Sequence, residues 1–169
     1  MSTATETRPF DATGWLKWSE DETAERIAPY YPAYLARREQ LDAAGLYPYN
    51  DSFLATIDGT GSKDEGTLIY LLQDWHRLQM ERAQLAAFIE RGAFKITPAD
   101  VKPGMRGTVA NVGRYSGAFQ TGYAEYEDVR LVTVYRGTAI GYIPPRKRNA
   151  YALDGREIYF LPNEKKGRA

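Results

Sequence analysis

The sequence predicts an α+β protein in which a helical N-terminal part is followed by a small antiparallel β-barrel. Apolar residues recur at three- and four-residue spacing up to residue 92 and then alternate. Pro98, Pro103, Gly104 and Gly107 punctuate the change of period. Charge changes sign at the same place: residues 1–92 carry nine Lys or Arg against fifteen Asp or Glu, and residues 93–169 carry thirteen against seven, about −6 and +6 behind a formal net charge of zero. These observations divide the chain into an arm at 1–18, an acidic helical region at 19–92 and a basic β-module at 93–169.

The arm opens with a polar dozen residues, after which Phe10, Trp15, Leu16 and Trp18 offer an aromatic anchor. Ser19 and Glu22 have the spacing of a capping box, which predicts a short helix from Glu20 to Ala28. Pro29 and Pro32 interrupt it, and Pro32 suits the first turn of a second helix running to Ala44, with Gly45 as its left-handed stop. The connection LYPYND and a brief extended segment from Ser52 to Ile57 follow.

The strongest helical signal runs from Asp64 to Arg91, with Ser62 and Glu65 as a second capping box and Gly92 as the stop. Leu68, Leu71, Trp75, Leu78, Arg82, Leu85 and Ile89 form a seam that requires a partner. The helix at 33–44 is the expected one, antiparallel and offering Tyr34, Leu41 and Ala44, so the helical part reads as a hairpin. A seam left unfilled within the chain gives a homodimer through the 64–91 helix.

Candidate strands are Arg106–Val112, Tyr123–Glu125, Val129–Tyr135, Thr138–Ile143, Asn149–Leu153 and Glu157–Leu161. Arg136-Gly137 and Asp154-Gly155 are hairpin signals, the second the stronger. Short strands joined by tight turns suggest the small barrel. The stretch KPGMRGTV with the Gly-rich loop after it resembles the first strand of SH3-like and KOW-type barrels, a resemblance that covers about a third of the chain and implies a fold but no function.

The composition, 43% apolar and 13% aromatic, is sufficient for a core. Without cysteine there are no disulfides, thiolate nucleophiles or usual zinc and iron–sulfur sites, which fits a cytoplasmic protein. No apolar run is long enough to span a membrane, and no signal peptide is read at the start. Fifteen Arg against seven Lys suits a GC-rich bacterial or phage genome.

The chemistry-bearing motifs are few. The loop DGTGSKDEG lacks Walker A spacing and places Asp64 and Glu65 where a phosphate would sit, so it reads as a loop feeding a cap. His76 is the sole histidine, which excludes a histidine dyad or histidine-rich metal site and leaves a boundary or surface residue. Ser116, in GRYSGAF, is not a nucleophile elbow. Glu125, Glu127 and Asp128 form an acidic cluster, but alternation splits it between two strand faces.

Positive charge interleaved with aromatic rings remains. Arg146, Lys147 and Arg148 follow Pro144-Pro145 in a stiff loop, and Arg114, Tyr115, Tyr123, Tyr126 and Tyr142 lie in the strands before it, with Arg106, Arg130, Arg136 and the tail Lys165, Lys166 and Arg168 adding charge. Tyr and Arg favour interface hot spots. The expectation is therefore a non-catalytic binding or adaptor protein without cofactor or metal, meeting a protein partner through Arg114, Tyr115, Tyr123, Tyr126, Tyr142, Arg146, Lys147 and Arg148. A nucleic-acid-binding protein with Arg114 and the 146–148 cations on phosphates and Tyr115 and Tyr123 stacking on bases is the alternative. A small-ligand binder or carboxylate-dependent enzyme at the junction of the two parts is the third reading.

Overall fold

The computed structural model describes residues 9–45 and 63–164. The expected segments between 46 and 62, the Ser62 cap and the 165–168 tail lie outside the described residues. The architecture is α+β, and the chain forms two compact units, Met1–Arg77 and Leu78–Ala169.

In the first unit the expected anchor forms only in part, with Leu16 exposed to solvent. Phe10 is buried, with its ring edge-on to Trp18 and Tyr30 at 6.1 and 5.6 Å, and the Arg26 guanidinium lies 4.5 Å from the Trp18 ring centre. Helix α1, Glu20–Ile27, starts as predicted: the Glu22 N–H donates to Ser19 Oγ at 3.1 Å. The Glu22 carboxylate pairs outward with Arg26 at 3.0 Å. Helix α2, Tyr31–Ala43, carries Pro32 in its first turn, where the missing N–H has no intrahelical role, and Gly45 follows it at φ +71°. Of the three residues expected to face a partner helix, Tyr34 and Leu41 are buried and Ala44 is exposed.

Helix α3, Lys63–Glu90, is uninterrupted for 28 residues. Its first turns bury Glu65, Leu68, Ile69, Leu71 and Leu72. Towards its end the buried residue is Phe88, while Arg82 and Ile89, both on the predicted seam, are exposed. Leu78 and Leu85 keep their places on the inward face, while Glu81 and Phe88 take those expected of Arg82 and Ile89. A seven-residue repeat drifts by about 20° per heptad around a straight helix, and the last turns answer to a sheet and not to a second helix.

The second unit holds one antiparallel sheet of β1 (Phe94–Ile96), β2 (Arg106–Ser116), β3 (Gln120–Val134), β4 (Ala139–Ile143), β5 (Tyr151–Ala152) and β6 (Glu157–Pro162), in the order β1-β6-β2-β3-β4-β5. The ladder is open, with β1 and β5 at its edges, so the closed barrel expected from the sequence is not formed. One face buries Ile96, Val109, Val129, Leu131, Ile140, Leu153, Ile158 and Phe160 in a single cluster. The other receives Phe88, which packs with Ala93 and Ala110 against Val112, Tyr123, Tyr159 and Leu161.

Three details depart from the sequence reading. The two segments at 123–125 and 129–135 are one strand, in which the pairing passes from Gly107–Val129 to Val109–Tyr126 across a bulge at Asp128, φ +53°. The β3–β4 turn is centred on Tyr135 and Arg136, both at positive φ, with the Gly137 N–H donating to Val134 O at 3.1 Å, one position before the predicted Arg136-Gly137 pair. Asp154-Gly155 closes no hairpin, because β5 pairs with β4 while β6 pairs with β1 and β2.

Candidate interaction surface

Cross-strand pairing builds a short stack of tyrosines. Tyr142 lies opposite Tyr151 across β4 and β5, and Tyr126 reaches it from β3 beyond the bulge. The Tyr126 and Tyr142 rings are 4.4 Å apart at 18°, and the Tyr142 and Tyr151 rings 5.7 Å apart at 30°. The first two pack their inner sides against the main core, and Tyr151 is 54% exposed. Burial, followed by the neighbouring Tyr126 and its hydrogen bond, pushes the Tyr142 hydroxyl above its ordinary range, with Arg114 opposing. The phenol is therefore neutral at physiological pH and able to donate a hydrogen bond.

Arg114 is oriented from two sides. Its Nε donates to Asp154 Oδ2 at 3.2 Å, and its guanidinium carbon lies 5.1 Å from the centre of the exposed Tyr115 ring. Asp154 is in turn held by Asn111 Nδ2 at 3.0 Å, and Asn111 Oδ1 accepts the Gly155 N–H at 2.6 Å. The Asn111 bond, then the Arg114 charge and bond, hold the Asp154 carboxyl below the usual carboxylate range. Gly155 is required for a spatial reason: a Cβ there would lie 2.6 and 2.7 Å from the Val112 backbone oxygen and nitrogen. Replacing the buried Asn111 with Ala leaves the Gly155 N–H without its partner, and the expected loss is about 1–3 kcal/mol in a denaturant titration. An unchanged midpoint would show that the 153–156 loop is held by other contacts.

The basic loop hangs between the Tyr142 and Tyr151 rungs of the stack. Lys147 N donates to Pro144 O at 3.1 Å, closing a turn with Pro145 second and Arg146 third, the latter at φ +63°. Such a position favours Gly or Asn, and a longer side chain costs about 1 kcal/mol there. Arg146, Lys147 and Arg148 are exposed and make no ion pair with any described residue. Some other cations of this unit are matched, Arg91 lying 4.0 Å from Glu125, Lys95 3.5 Å from Glu157 and Arg106 2.8 Å from Asp128, whereas Lys102, Arg130, Arg136 and Arg156, like the loop cations, make no ion pair with a described residue.

Tyr126 and Tyr142 are stacked, Arg114 acts on the Tyr142 hydroxyl with Tyr115 beside it, and the loop containing Arg146, Lys147 and Arg148 follows Tyr142 in the chain. Tyr123 is not part of this group. It packs on the opposite face with the Phe88 cluster and donates its hydroxyl to Glu125 Oε1 at 2.6 Å, and burial, followed by that carboxylate, strongly disfavours its ionisation. The stacking role expected of Tyr123 is therefore replaced by a structural one. Tyr151, which the sequence does not single out, joins the group by lying opposite Tyr142.

The remaining motifs resolve locally. Asp128 accepts from Arg106 at 2.8 Å and from Asn163 at 3.1 Å, and no group of three His, Asp or Glu among the described residues is placed to hold a metal ion. His76 Nδ1 lies 2.9 Å from the Tyr31 hydroxyl, and burial, followed by Arg38, lowers its pKa. Among the described residues no helix is long and apolar enough to cross a membrane. Comparison with known proteins gives no match: no family model, curated protein or solved structure is significantly similar to the chain.

Proposed function

We propose that the chain is a non-catalytic binding protein of the cytoplasm whose sheet, read as an SH3-like module, meets a protein partner through the Tyr126–Tyr142–Tyr151 stack, Tyr115, Arg114 and the loop at 146–148. The helical region, read as a hairpin, would present the module or pair with a second copy through α3. One observation supports this reading: the exposed 146–148 loop, whose cations make no ion pair with a described residue, joins two rungs of a preformed stack of tyrosines, and Arg114 acts on the hydroxyl of the middle one, Tyr142. Rigid aromatic rings beside Arg supply contact area at small entropic cost, the composition of a protein hot spot.

A nucleic-acid partner is favoured by the loop charge alone. The tyrosine stack argues against it, since the rings cover one another's faces and leave Tyr115 and the outer side of Tyr151 for bases.

The test is the triple variant Arg146→Ala, Lys147→Ala, Arg148→Ala of the full chain in affinity capture, with and without nuclease. Retention of the partner should fall by about tenfold or more, while the melting temperature stays within roughly 2 °C because exposed loop side chains contribute little to stability. Partners that disappear on nuclease treatment would transfer the surface to the second reading. Unchanged retention by the triple variant would remove the loop from it.

A further inference from the structure

We infer that the partner segment taken by this surface is a short, extended, acidic stretch of polypeptide, and that Arg146 occupies its turn position in order to receive one of its carboxylates. This rests on the protein-binding reading above and names the chemistry of the partner. The support begins with the backbone. The third position of the Pro144–Lys147 turn has a positive φ that glycine adopts freely, yet it holds an arginine whose side chain is exposed and unpaired among the described residues. Packing cannot account for Arg146, and the turn itself is better served without it, so what is left is the guanidinium.

The same pattern recurs at the other end of β4. Tyr135 and Arg136 fill two of the three positive-φ positions of the β3–β4 turn, where Asn and Gly are preferred and Gly137 takes the third, and Tyr135 is 70% exposed. Asp128, the remaining non-glycine residue at positive φ among the described residues, is different because its carboxylate is taken by Arg106 and Asn163. Two arginine-bearing tips therefore bracket the five residues of β4, roughly 15–20 Å apart at the rise of an extended strand. About five or six extended residues span that interval. Carboxylates towards the two ends of such a segment would meet Arg136 at one tip and Arg146 with Lys147 and Arg148 at the other. The tyrosine stack lies beside the 146–148 tip, Tyr142 being the fourth of the five β4 residues and facing Tyr151 just beyond the loop, and its neutral hydroxyls can donate to backbone carbonyls of the segment there.

The experiment displays random peptides of about a dozen residues to the immobilised full chain and measures the strongest recovered peptide against Arg146→Gly. Recovered sequences should be enriched in pairs of Asp or Glu. Arg146→Gly should weaken the peptide about tenfold while raising the melting temperature by a few degrees, since the turn gains its preferred residue and the interface loses its cation. A variant that is both more stable and worse at binding is not produced by damage to the fold. Peptides without acidic enrichment, failure to recover any peptide, or equal binding by Arg146→Gly would each overturn the inference. The protein-binding reading would then still stand or fall on whether capture by the full chain resists nuclease. Displacement of the peptide by oligothymidylate at matched charge would overturn both.

Discussion

Gly107→Ala is expected to prevent the sheet from forming. Gly107 lies between Val129 of β3 and Pro162 of β6. A Cβ there would overlap the Leu161 carbonyl oxygen and lie 2.9 Å from Pro162 Cα and 3.0 Å from Asn163 N. These are backbone atoms, held by the β2–β6 pairing and by the Asn163 N–H donated to Arg106 O at 3.0 Å, so they cannot rotate away. The expected cost exceeds about 3 kcal/mol, enough to unfold a marginal domain. Thermal melting followed in the far ultraviolet checks it, with Gly104→Ala as the control. Gly104 has φ +84° and open space around it, so its substitution should cost only about 1 kcal/mol of backbone strain. Equal melting temperatures for the two variants would refute the close approach.

Phe88→Ala should destabilise the second unit by about 3–5 kcal/mol. Phe88 is 1% exposed and anchors the end of α3 over Ala93 and Ala110. Glu81 secures the same helix, both its carboxylate oxygens lying 2.9 Å from the Gly122 N–H. Neither bond can make up for the cavity left by a deleted ring. The comparison that decides the matter is Ile89→Ala: Ile89 is 45% exposed, and its loss should cost less than about 1 kcal/mol. The apolar repeat read from sequence ranks Ile89 on the buried seam and omits Phe88. Denaturant midpoints that place Ile89 above Phe88 would restore that seam and contradict the packing described here.

What was legible in the sequence is what local chemistry decides. Ser19, Pro32 and Gly45 mark helix boundaries because a cap or a turn needs only its immediate neighbours, and each does its expected work. The strands that pair around the core were recognisable from β-branched and aromatic alternation, but β1 was not, since Phe94–Ile96 is too short to show a period. Glu127-Asp128 looked like a break between strands and is a bulge within one, because Arg106 and Asn163 capture Asp128 at a positive φ. Asp154-Gly155 is locally a hairpin signal; tertiary pairing overrides it, and the glycine serves the close approach to Val112 and Asn111.

Much of the candidate surface was legible for a similar reason. Residues of known type around a Pro-Pro loop stand out by their chemistry alone, but which of them share a face depends on strand parity. Positions 123 and 126 differ by an odd number, which places their side chains on opposite faces in a regular strand, and the structure places Tyr123 under α3 and Tyr126 on the tyrosine stack. Tyr151 could be added only once β5 was seen to pair with β4, a long-range fact that no window of sequence contains.

The division between compact units falls inside α3, and this has a practical corollary for anyone wishing to isolate the sheet. A fragment cut at the change of sequence period, beginning at Ala93, would amputate Phe88 and Glu81, uncover Ala110 and Leu161, and release the Gly122 amide to water. Such a piece should be sticky and prone to self-association, whereas one starting near Leu78 takes its own lid with it.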